Sequence, residues 1–210
     1  RYNPLYIYSE PGLGKTHLLS AVKSEMEKLH PDMNIIYTTA DTFTDDYVSN
    51  LRTKSNLEAF KQKYRSCDLL LIDDIQFIAN KKSTEEEFFH TFNALTEVNK
   101  QIVLTSDNPP DEIPTLQDRL KTRFNWGMMA DITPPDLETR MAIVKSKADS
   151  RGLELPNNIV EFIAEQVKYN VRQLEGAVNK INALTRLAGK EPSIEIARDA
   201  IKEVLNFNQP

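Results

Sequence analysis

The first 132 residues alternate between short apolar runs and longer segments that carry apolar residues on one helical face. The apolar runs predict five strands, Leu5–Ser9, Asn34–Thr39, Asp68–Ile72, Gln101–Ser106 and Met128–Ile132. The intervening segments predict helices over Lys15–His30, Asp41–Asn50, Asn56–Arg65, Thr84–Asn99 and Leu116–Phe124, with Asp41 as the cap of the second. Strands that are apolar throughout and alternate with helices indicate a parallel sheet covered on both faces. We therefore expect an α/β fold with a parallel five-stranded sheet and flanking helices.

The pattern changes at Thr133-Pro134-Pro135, after which the chain has only helical periodicity. Four helices are predicted, over Asp136–Arg151, Pro156–Lys168, Val171–Leu187 and Ser193–Leu205. Asn170 and Ser193 are residue types that cap helix starts, and Gly189 follows a predicted helix end. We expect an α/β nucleotide-binding domain over residues 1–133, followed by an all-α lid subdomain over residues 134–210.

Charge and cysteine content narrow the classes of function. Lys and Arg total 26 and Asp and Glu total 31, which gives a net charge of −5. A domain dedicated to duplex DNA is more often basic.

No apolar run approaches the ~18 residues of a membrane span. Cys67 is the only cysteine, so no internal disulfide can form, which suits a cytoplasmic protein. Because Arg1-Tyr2-Asn3-Pro4 runs directly into a strand, we expect a fragment of a longer protein.

A glycine-rich turn between the first strand and the first helix is a candidate phosphate site. The P-loop pattern is G-x-x-x-x-G-K-[ST], and residues 9–16 read SEPGLGKT, with Ser9 where the pattern has glycine. Glycines let backbone N–H groups approach phosphate oxygens at a helix N-terminus. Lys15 supplies charge for the β- and γ-phosphates, and the Thr16 hydroxyl is a Mg²⁺ ligand. We assign nucleotide binding to Gly12, Leu13, Gly14, Lys15, Thr16 and His17. The alternative is a turn that only joins strand to helix.

A second motif, Leu69-Leu70-Leu71-Ile72-Asp73-Asp74, ends an apolar strand in two acids. The carboxyl ends of parallel strands meet at one edge of a sheet, where ligands bind. Asp73 can hold Mg²⁺ directly or through water, and Asp74 can act as general base on the attacking water. The alternative is a pair of capping acids. Together the two motifs predict a P-loop ATPase that binds ATP or ADP with Mg²⁺.

Seven stretches carry a resemblance to a known family: residues 3–8 (NPLYIY), 12–19 (GLGKTHLL), 71–77 (LIDDIQF), 86–95 (EEFFHTFNAL), 104–107 (LTSD), 118–126 (DRLKTRFNW) and 170–177 (NVRQLEGA). Over essentially the whole chain, the sequence resembles the ATPase domain of the bacterial DnaA replication initiator family, within the AAA+ superfamily. LIDDIQF and EEFFHTFNAL are specific to DnaA-like proteins, whereas GKT alone is not. Ser9 and Glu10 depart from the family's usual glycine pair.

The resemblance implies roles that spacing alone does not give. Asp107 resembles the sensor-1 residue that responds to the γ-phosphate, and Arg172 resembles sensor 2. Arg123 resembles the box VII arginine finger, which reaches the nucleotide of a neighbouring subunit, and Arg119 lies one helical turn earlier. Without the resemblance, Asp107 is a turn residue, the two arginines form an exposed basic helix face, and Arg172 pairs with Glu175.

The resemblance also implies contact with single-stranded DNA at Val48 and Lys81, where Lys82 extends a small basic patch. The alternative for the lysines is a solvated loop. Three further expectations concern packing. Cys67 should be a small buried residue, His90 should be a packing residue, and Trp126 should anchor its helix in the core.

The implied function is that of an ATP-binding and hydrolysing domain of a DnaA-type initiator. Weak hydrolysis would act as a switch, and ATP would drive head-to-tail self-assembly that engages and helps open origin DNA. Specific duplex binding is expected only from a C-terminal helix-turn-helix domain outside this sequence. The alternatives are an AAA+ helicase loader, a DnaA-like regulatory ATPase, and a nucleotide-binding module without turnover.

Overall fold

The computed structural model describes residues 2–51, 53–189 and 191–206, which divide into two compact units. The first unit contains the described residues up to Glu10 together with Lys15–Ile132. The second contains Pro11–Gly14 together with the described residues from Thr133 onward.

The first unit is built on a parallel sheet whose strands are β1 (Leu5–Tyr8), β2 (Ile35–Thr39), β3 (Leu69–Asp73), β4 (Gln101–Ser106) and β5 (Met128–Asp131). Their order is β2-β3-β4-β1-β5, and every neighbouring pair is parallel. The predicted five-stranded parallel sheet is therefore confirmed. Every residue of β3 is buried, which explains why this strand is apolar up to its final aspartate.

Among the described residues of the first unit, five α-helices surround the sheet: α1 (Lys15–Leu29), α2 (Ala40–Asn50), α3 (Lys54–Arg65), α4 (Lys82–Glu97) and α5 (Asp118–Asn125). Successive residues of one strand face opposite sides of the sheet. Leu70 and Ile72 accordingly join the core cluster that contains Phe43 and Phe88 on α2 and α4, whereas Leu71 joins a separate cluster with Leu19 of α1.

Element boundaries differ from the sequence prediction at functionally relevant points. β3 extends to Asp73, so the first acid of the motif belongs to the strand. Short 3-10 turns at Ile75–Ile78 and Pro110–Glu112 follow β3 and β4 and lack the length needed for a periodic signal. The predicted cap Asp41 is wrong: Thr39 accepts the Thr42 N–H at 3.1 Å, because α2 starts directly where β2 ends.

The second unit contains α6 (Leu137–Asp149), α7 (Asn157–Gln166), α8 (Val171–Ala188) and α9 (Ile194–Asn206), as predicted. These helices share a core of small and branched apolar residues that includes Val144, Ile163 and Ile181. Asn170 caps α8 by accepting the N–H groups of Arg172 and Gln173. Within the described ranges, no helix is long and apolar enough to cross a membrane.

Candidate nucleotide-binding site

Lys15 begins α1, and its ammonium group is buried against the end of β1. It donates hydrogen bonds to the Ser9 carbonyl at 2.9 Å, the Ser9 hydroxyl at 3.1 Å and the Glu10 carbonyl at 3.3 Å. It also forms an ion pair with Asp107 at 2.8 Å. The lysine side chain is only 6% exposed, so its charge is held by these partners and not by water. Ser9, which departs from the P-loop pattern, therefore contributes a hydroxyl to the lysine.

The glycines of the loop have backbone conformations that other residues rarely adopt. Gly12 has φ 88° and Gly14 has φ 96°. Gly12 also lies against the start of α8, where its carbonyl accepts N–H groups of Val171 at 2.9 Å and Arg172 at 3.3 Å. A Cβ atom on Gly12 would lie 2.3 Å from Asn170 Oδ1, whereas one on Gly14 would meet nothing within 4 Å. Gly12 is thus required for both backbone conformation and close packing.

The two acids at the end of β3 are held by Thr105 on the neighbouring strand β4. The Thr105 hydroxyl donates a short hydrogen bond to the Asp73 carboxylate and accepts the Asp74 N–H at 3.0 Å. The Tyr37 hydroxyl lies 3.4 Å from the other Asp73 oxygen. Asp74 adopts a left-handed conformation, with φ 56°, which aspartate tolerates better than most residues. Thr105 therefore fixes the Asp73 carboxylate and the backbone of Asp74.

Gln76 connects the acidic motif to the lysine. Its amide nitrogen donates to Asp107 at 3.1 Å and lies 3.5 Å from Asp74, and its amide oxygen lies 3.4 Å from the Asp107 N–H. Since Asp107 also binds Lys15, a continuous polar chain runs from the P-loop lysine to Asp74. The first unit thus brings together residues that the sequence places 92 positions apart.

The Asp74 carboxyl has an altered proton affinity. Burial raises its pKa above the ordinary value of 3.8, and the nearby charges of Asp73 and Asp107 raise it further. The hydrogen bond from Gln76 and the charge of Lys15 act in the opposite direction but do not cancel these effects. A carboxylate with a raised pKa is a better proton acceptor, which suits a general base.

Thr16 and Asp73 are the candidate ligands of Mg²⁺ in the first unit. Within the described ranges, no group of three or more His, Cys, Asp or Glu side chains could hold a metal ion. Thr16 is exposed, and its hydroxyl has no hydrogen-bond partner among the described residues, while Asp73 offers carboxylate oxygens. Mg²⁺ commonly binds through one or two protein oxygens, with water and phosphate oxygens completing its octahedron. The residues therefore fit Mg²⁺ that arrives with a nucleotide.

The other residues predicted to bind nucleotide, Leu13, His17 and Arg172, differ in burial. Leu13 is buried and His17 is exposed on α1. Arg172 is exposed at the start of α8 and does not pair with Glu175, which instead binds Lys147 and Arg151. Arg172 lines a cavity of about 730 Å³ in the second unit. Other lining residues of this cavity include Pro11, Asn170, Gln173 and Asn179.

Arg123, the predicted arginine finger, lies on α5 and contacts two aromatic rings. The Arg123 guanidinium stacks over the Trp126 ring at 4.1 Å and lies 5.7 Å from the Phe89 ring. The Arg119 guanidinium lies 4.6 Å from the centroid of the same Phe89 ring and donates to the side-chain oxygen of Gln117. Trp126 is 66% exposed, so its expected role as a core anchor is wrong. The core of this region is instead filled by Phe124, which is fully buried.

The candidate DNA-contact residues lie on the surface of the first unit. Val48 on α2 is 53% exposed, and Lys81 forms an ion pair with Asp41 at 2.9 Å. Asp41 and Val48 are seven residues apart on α2 and so share one helix face, about 10 Å apart along its axis. Lys81 and Val48 therefore belong to one surface region, with Lys82 exposed beside it.

Two minor predictions have opposite outcomes. Cys67 is fully buried, as expected, and burial raises the pKa of its thiol to about 11. His90 is exposed on α4 and its ring meets only the edge of Phe89, so its expected packing role is wrong.

Sequence reasoning missed Thr105, Gln76 and Tyr37 as members of the site. Thr105 and Gln76 lie in the stretches LTSD and LIDDIQF, and both are polar residues that directly follow buried apolar residues. A polar residue directly after an apolar residue was the sequence signal that could have identified Thr105 and Gln76. Tyr37 lies inside β2 and carries no comparable signal.

Comparison with known proteins identifies the family of the chain. The family model described as the bacterial DnaA ATPase domain matches residues 1–131. The chain is 51% identical over 205 residues to the chromosomal replication initiator protein DnaA of Caldanaerobacter subterraneus subsp. tengcongensis, covering 98% of this chain and 46% of that protein. The chain thus spans about half the length of this curated relative.

Solved structures give the same result. Domain III of the Thermotoga maritima replication initiation protein DnaA is 40% identical, with a TM-score of 0.92, covering 97% of this chain and 85% of that one. A replication initiator DnaA bound to AMPPCP and single-stranded DNA is 39% identical, with a TM-score of 0.80, covering 96% of this chain and 60% of that one. The AAA+ fold and the resemblance are confirmed, and the chain belongs to the bacterial DnaA ATPase-domain family.

Proposed function

We propose that the chain binds ATP or ADP with Mg²⁺ and hydrolyses ATP weakly, as a switch for self-assembly on single-stranded DNA. The observation that carries this proposal is the polar chain from Lys15 through Asp107 and Gln76 to Asp74. A lysine next to a glycine loop, with acids at the ends of adjacent strands, supplies the positioning and charge that phosphoryl transfer requires.

Each side chain of the set has a distinct role in this proposal. Lys15 exchanges its contacts with Ser9 and Asp107 for the β- and γ-phosphates. Thr16 and Asp73 would hold Mg²⁺, which would neutralise phosphate charge. Asp107, released from Lys15, senses the γ-phosphate. The remaining nucleotide contacts are assigned to Gly12, Leu13, Gly14, His17 and Arg172.

Asp74 is the proposed general base. It accepts a proton from water as the water oxygen bonds to the γ-phosphorus and the bond from that phosphorus to the leaving oxygen of ADP breaks. The raised pKa of Asp74 supports proton acceptance, and Gln76 holds the carboxylate in place. We further propose that residues 1–133 act as the nucleotide-binding domain and residues 134–210 as a lid whose nucleotide-sensing residue is Arg172.

Assembly is proposed to depend on Arg123 acting in trans. Its guanidinium is partly exposed and has no carboxylate partner among the described residues, so its N–H donors are available to an anion. An arginine on one face of a subunit that reaches the nucleotide bound at a different face of the next subunit makes a heterologous contact. Such contacts repeat from subunit to subunit and give an open filament.

Single-stranded DNA is the proposed partner of the assembled form. A related DnaA has been solved with AMPPCP and single-stranded DNA together. In this chain the proposed contacts are Val48 and Lys81, an exposed apolar side chain and a cation in one surface region. Such a pair suits sequence-independent contact with bases and backbone. Acting as an initiator on origin DNA also implies a cytoplasmic location.

Sedimentation velocity tests the proposal directly. Sedimentation of the chain is measured in the presence of Mg²⁺-ATP, in the presence of Mg²⁺-ADP and without nucleotide. Each condition is repeated with a single-stranded oligonucleotide. We expect larger species with ATP that increase with the oligonucleotide and disappear in Arg123→Ala. Arg198→Ala, which removes an exposed arginine from α9, is the matched control and should assemble normally. A monomer under every condition would refute the proposal and favour a helicase-loader or regulatory role.

A further inference from the structure

Trp126 is a large exposed residue that the proposed function leaves unexplained. It is a large aromatic side chain with 66% of its surface exposed, although burial of such a ring would stabilise the fold. It caps the end of α5, three residues after Arg123, so the two side chains lie on the same helix face. The Arg123 guanidinium lies 4.1 Å from the ring centroid, well within the range of a cation–π contact.

We propose that Trp126 is a positioning residue for the arginine finger Arg123, and that Phe89 is a second aromatic support on the adjoining helix α4. This inference rests on the proposed trans role of Arg123. The indole ring restricts the long arginine side chain to a small set of rotamers before a neighbouring subunit arrives. It therefore reduces the conformational entropy that assembly would otherwise cost.

An arginine finger needs free N–H donors, so stacking on an aromatic ring suits Arg123 better than an ion pair with a carboxylate would. A guanidinium is planar, and its five N–H donors lie in its plane. An aromatic ring contacts the flat face and leaves those donor edges free for a phosphate. A carboxylate would occupy the same donors and cancel the charge. Within the described part of the chain, neither Arg119 nor Arg123 pairs with a carboxylate, and both contact Phe89.

Aromatic rings also lie beside two like charges on this helix. Arg119 and Arg123 are four residues apart on α5, a spacing at which like charges repel. Arg119 is drawn toward Gln117 at 2.7 Å and lies over Phe89, while Arg123 lies toward Trp126. The Arg123 guanidinium thus lies nearer to Trp126 than to Phe89, the ring that it shares with Arg119.

The chain offers a spectroscopic test, because Trp126 is its only tryptophan. In the monomer without nucleotide, Arg123→Ala should change the emission of Trp126, since the stacked cation is lost. Assembly with Mg²⁺-ATP should also change this emission, and Mg²⁺-ADP should not. Unchanged Trp126 emission in monomeric Arg123→Ala would overturn the stacking on which the inference depends.

Assembly measurements complete the test. Trp126→Leu should raise the protein concentration for half-maximal ATP-dependent assembly roughly two- to five-fold, the factor expected for an exposed cation–π contact. Trp126→Phe, which keeps an aromatic face, should recover most of the loss. Leu187→Ala removes an exposed apolar side chain from the second unit and should assemble like the parent chain. ATP affinity is measured in parallel, below the assembly concentration.

The outcomes separate this inference from the proposed function. If Arg123→Ala assembles normally, the proposed finger itself is wrong. If Arg123→Ala fails to assemble while Trp126→Leu assembles at the parental concentration, the finger stands and the positioning role of Trp126 is overturned. A loss of monomer ATP affinity in Trp126→Leu would also overturn it, because the effect would then arise outside the finger.

Discussion

The hydroxyl group of Thr105 on β4 donates a short hydrogen bond to the carboxylate of Asp73 on β3. The same hydroxyl accepts the N–H of the next residue, Asp74. Asp73 is only 2% exposed, so it depends on protein donors in place of water. One side chain therefore holds both the proposed magnesium ligand and the backbone of the proposed base.

Thr105→Val should lower the stability of the first unit because it removes this hydroxyl while keeping the shape of the side chain. Leaving a buried carboxylate short of a donor costs about 1–3 kcal/mol. For a chain of this size, that corresponds to a thermal midpoint lower by roughly 2–12 °C. Thr105→Ser keeps the hydroxyl and should lose much less. Equal midpoints for the valine and serine variants would show that the hydrogen bond does not stabilise the fold.

Asp74→Asn should retain Mg²⁺-ATP binding and lose hydrolysis, because an amide cannot accept the proton from water. A positioned general base contributes about 10²–10⁴-fold to a rate, so turnover should fall by at least 100-fold. The measurements are phosphate release under saturating ATP and nucleotide affinity by titration calorimetry. Asp45→Asn, which alters an exposed acid on α2, is the control. Turnover within a few-fold of the parent chain would refute the base role.

Gly12→Ala should destabilise the chain more than Gly14→Ala. Both residues have positive φ, so each alanine strains the backbone by at least about 1 kcal/mol. Only the Gly12 variant also places a Cβ atom against Asn170. Thermal unfolding of both variants, alone and combined with Asn170→Ala, isolates that contact as a coupling between neighbouring sites. The account is contradicted if Asn170→Ala leaves the difference between the two glycine variants unchanged.

The buried thiol of Cys67 predicts how thiol labelling and the stability of the chain depend on pH. Burial raises its thiol pKa from the ordinary 9.0 to about 11, so at pH 8 the native chain contains about 100-fold less reactive thiolate than the unfolded chain. Iodoacetamide labelling should therefore be at least 100-fold slower in the native state. The native state also binds the thiol proton more tightly than the unfolded state does. Stability should accordingly fall as pH rises from about 9 to 11.

Cys67→Ala provides the control for both effects. It should eliminate labelling and remove the part of the alkaline stability loss that belongs to this thiol. Native labelling at the rate of the unfolded chain would contradict the buried position of Cys67 between α3 and β3.

Much of the fold could be predicted because its signals are local. Continuous apolar runs such as Leu69–Ile72 predicted buried parallel strands, and the side chain of Asn170 predicted the start of α8. The motif at Gly12–Thr16 also carries its physical reason in neighbouring residues.

The parts that could not be predicted depend on contacts between distant residues. Gln76 reaches Asp107 across 31 residues, and the pairing follows from strand order and not from periodicity. Trp126 closely follows Arg123 and is predicted to anchor its helix in the core, yet the buried side chain is Phe124 and Trp126 contacts a cation. Residue type alone does not distinguish these two positions on one short helix.

The central claim, that the loop around Lys15 binds Mg²⁺-ATP, is tested most directly by titration calorimetry of the parent chain and Lys15→Ala. Lys23→Ala, which alters a partly exposed lysine of the same helix paired with Glu27, is the matched control. We predict saturable binding of one nucleotide per chain, retained in Lys23→Ala and lost in Lys15→Ala. Undiminished ATP affinity in Lys15→Ala would contradict the assignment of this loop as the nucleotide site.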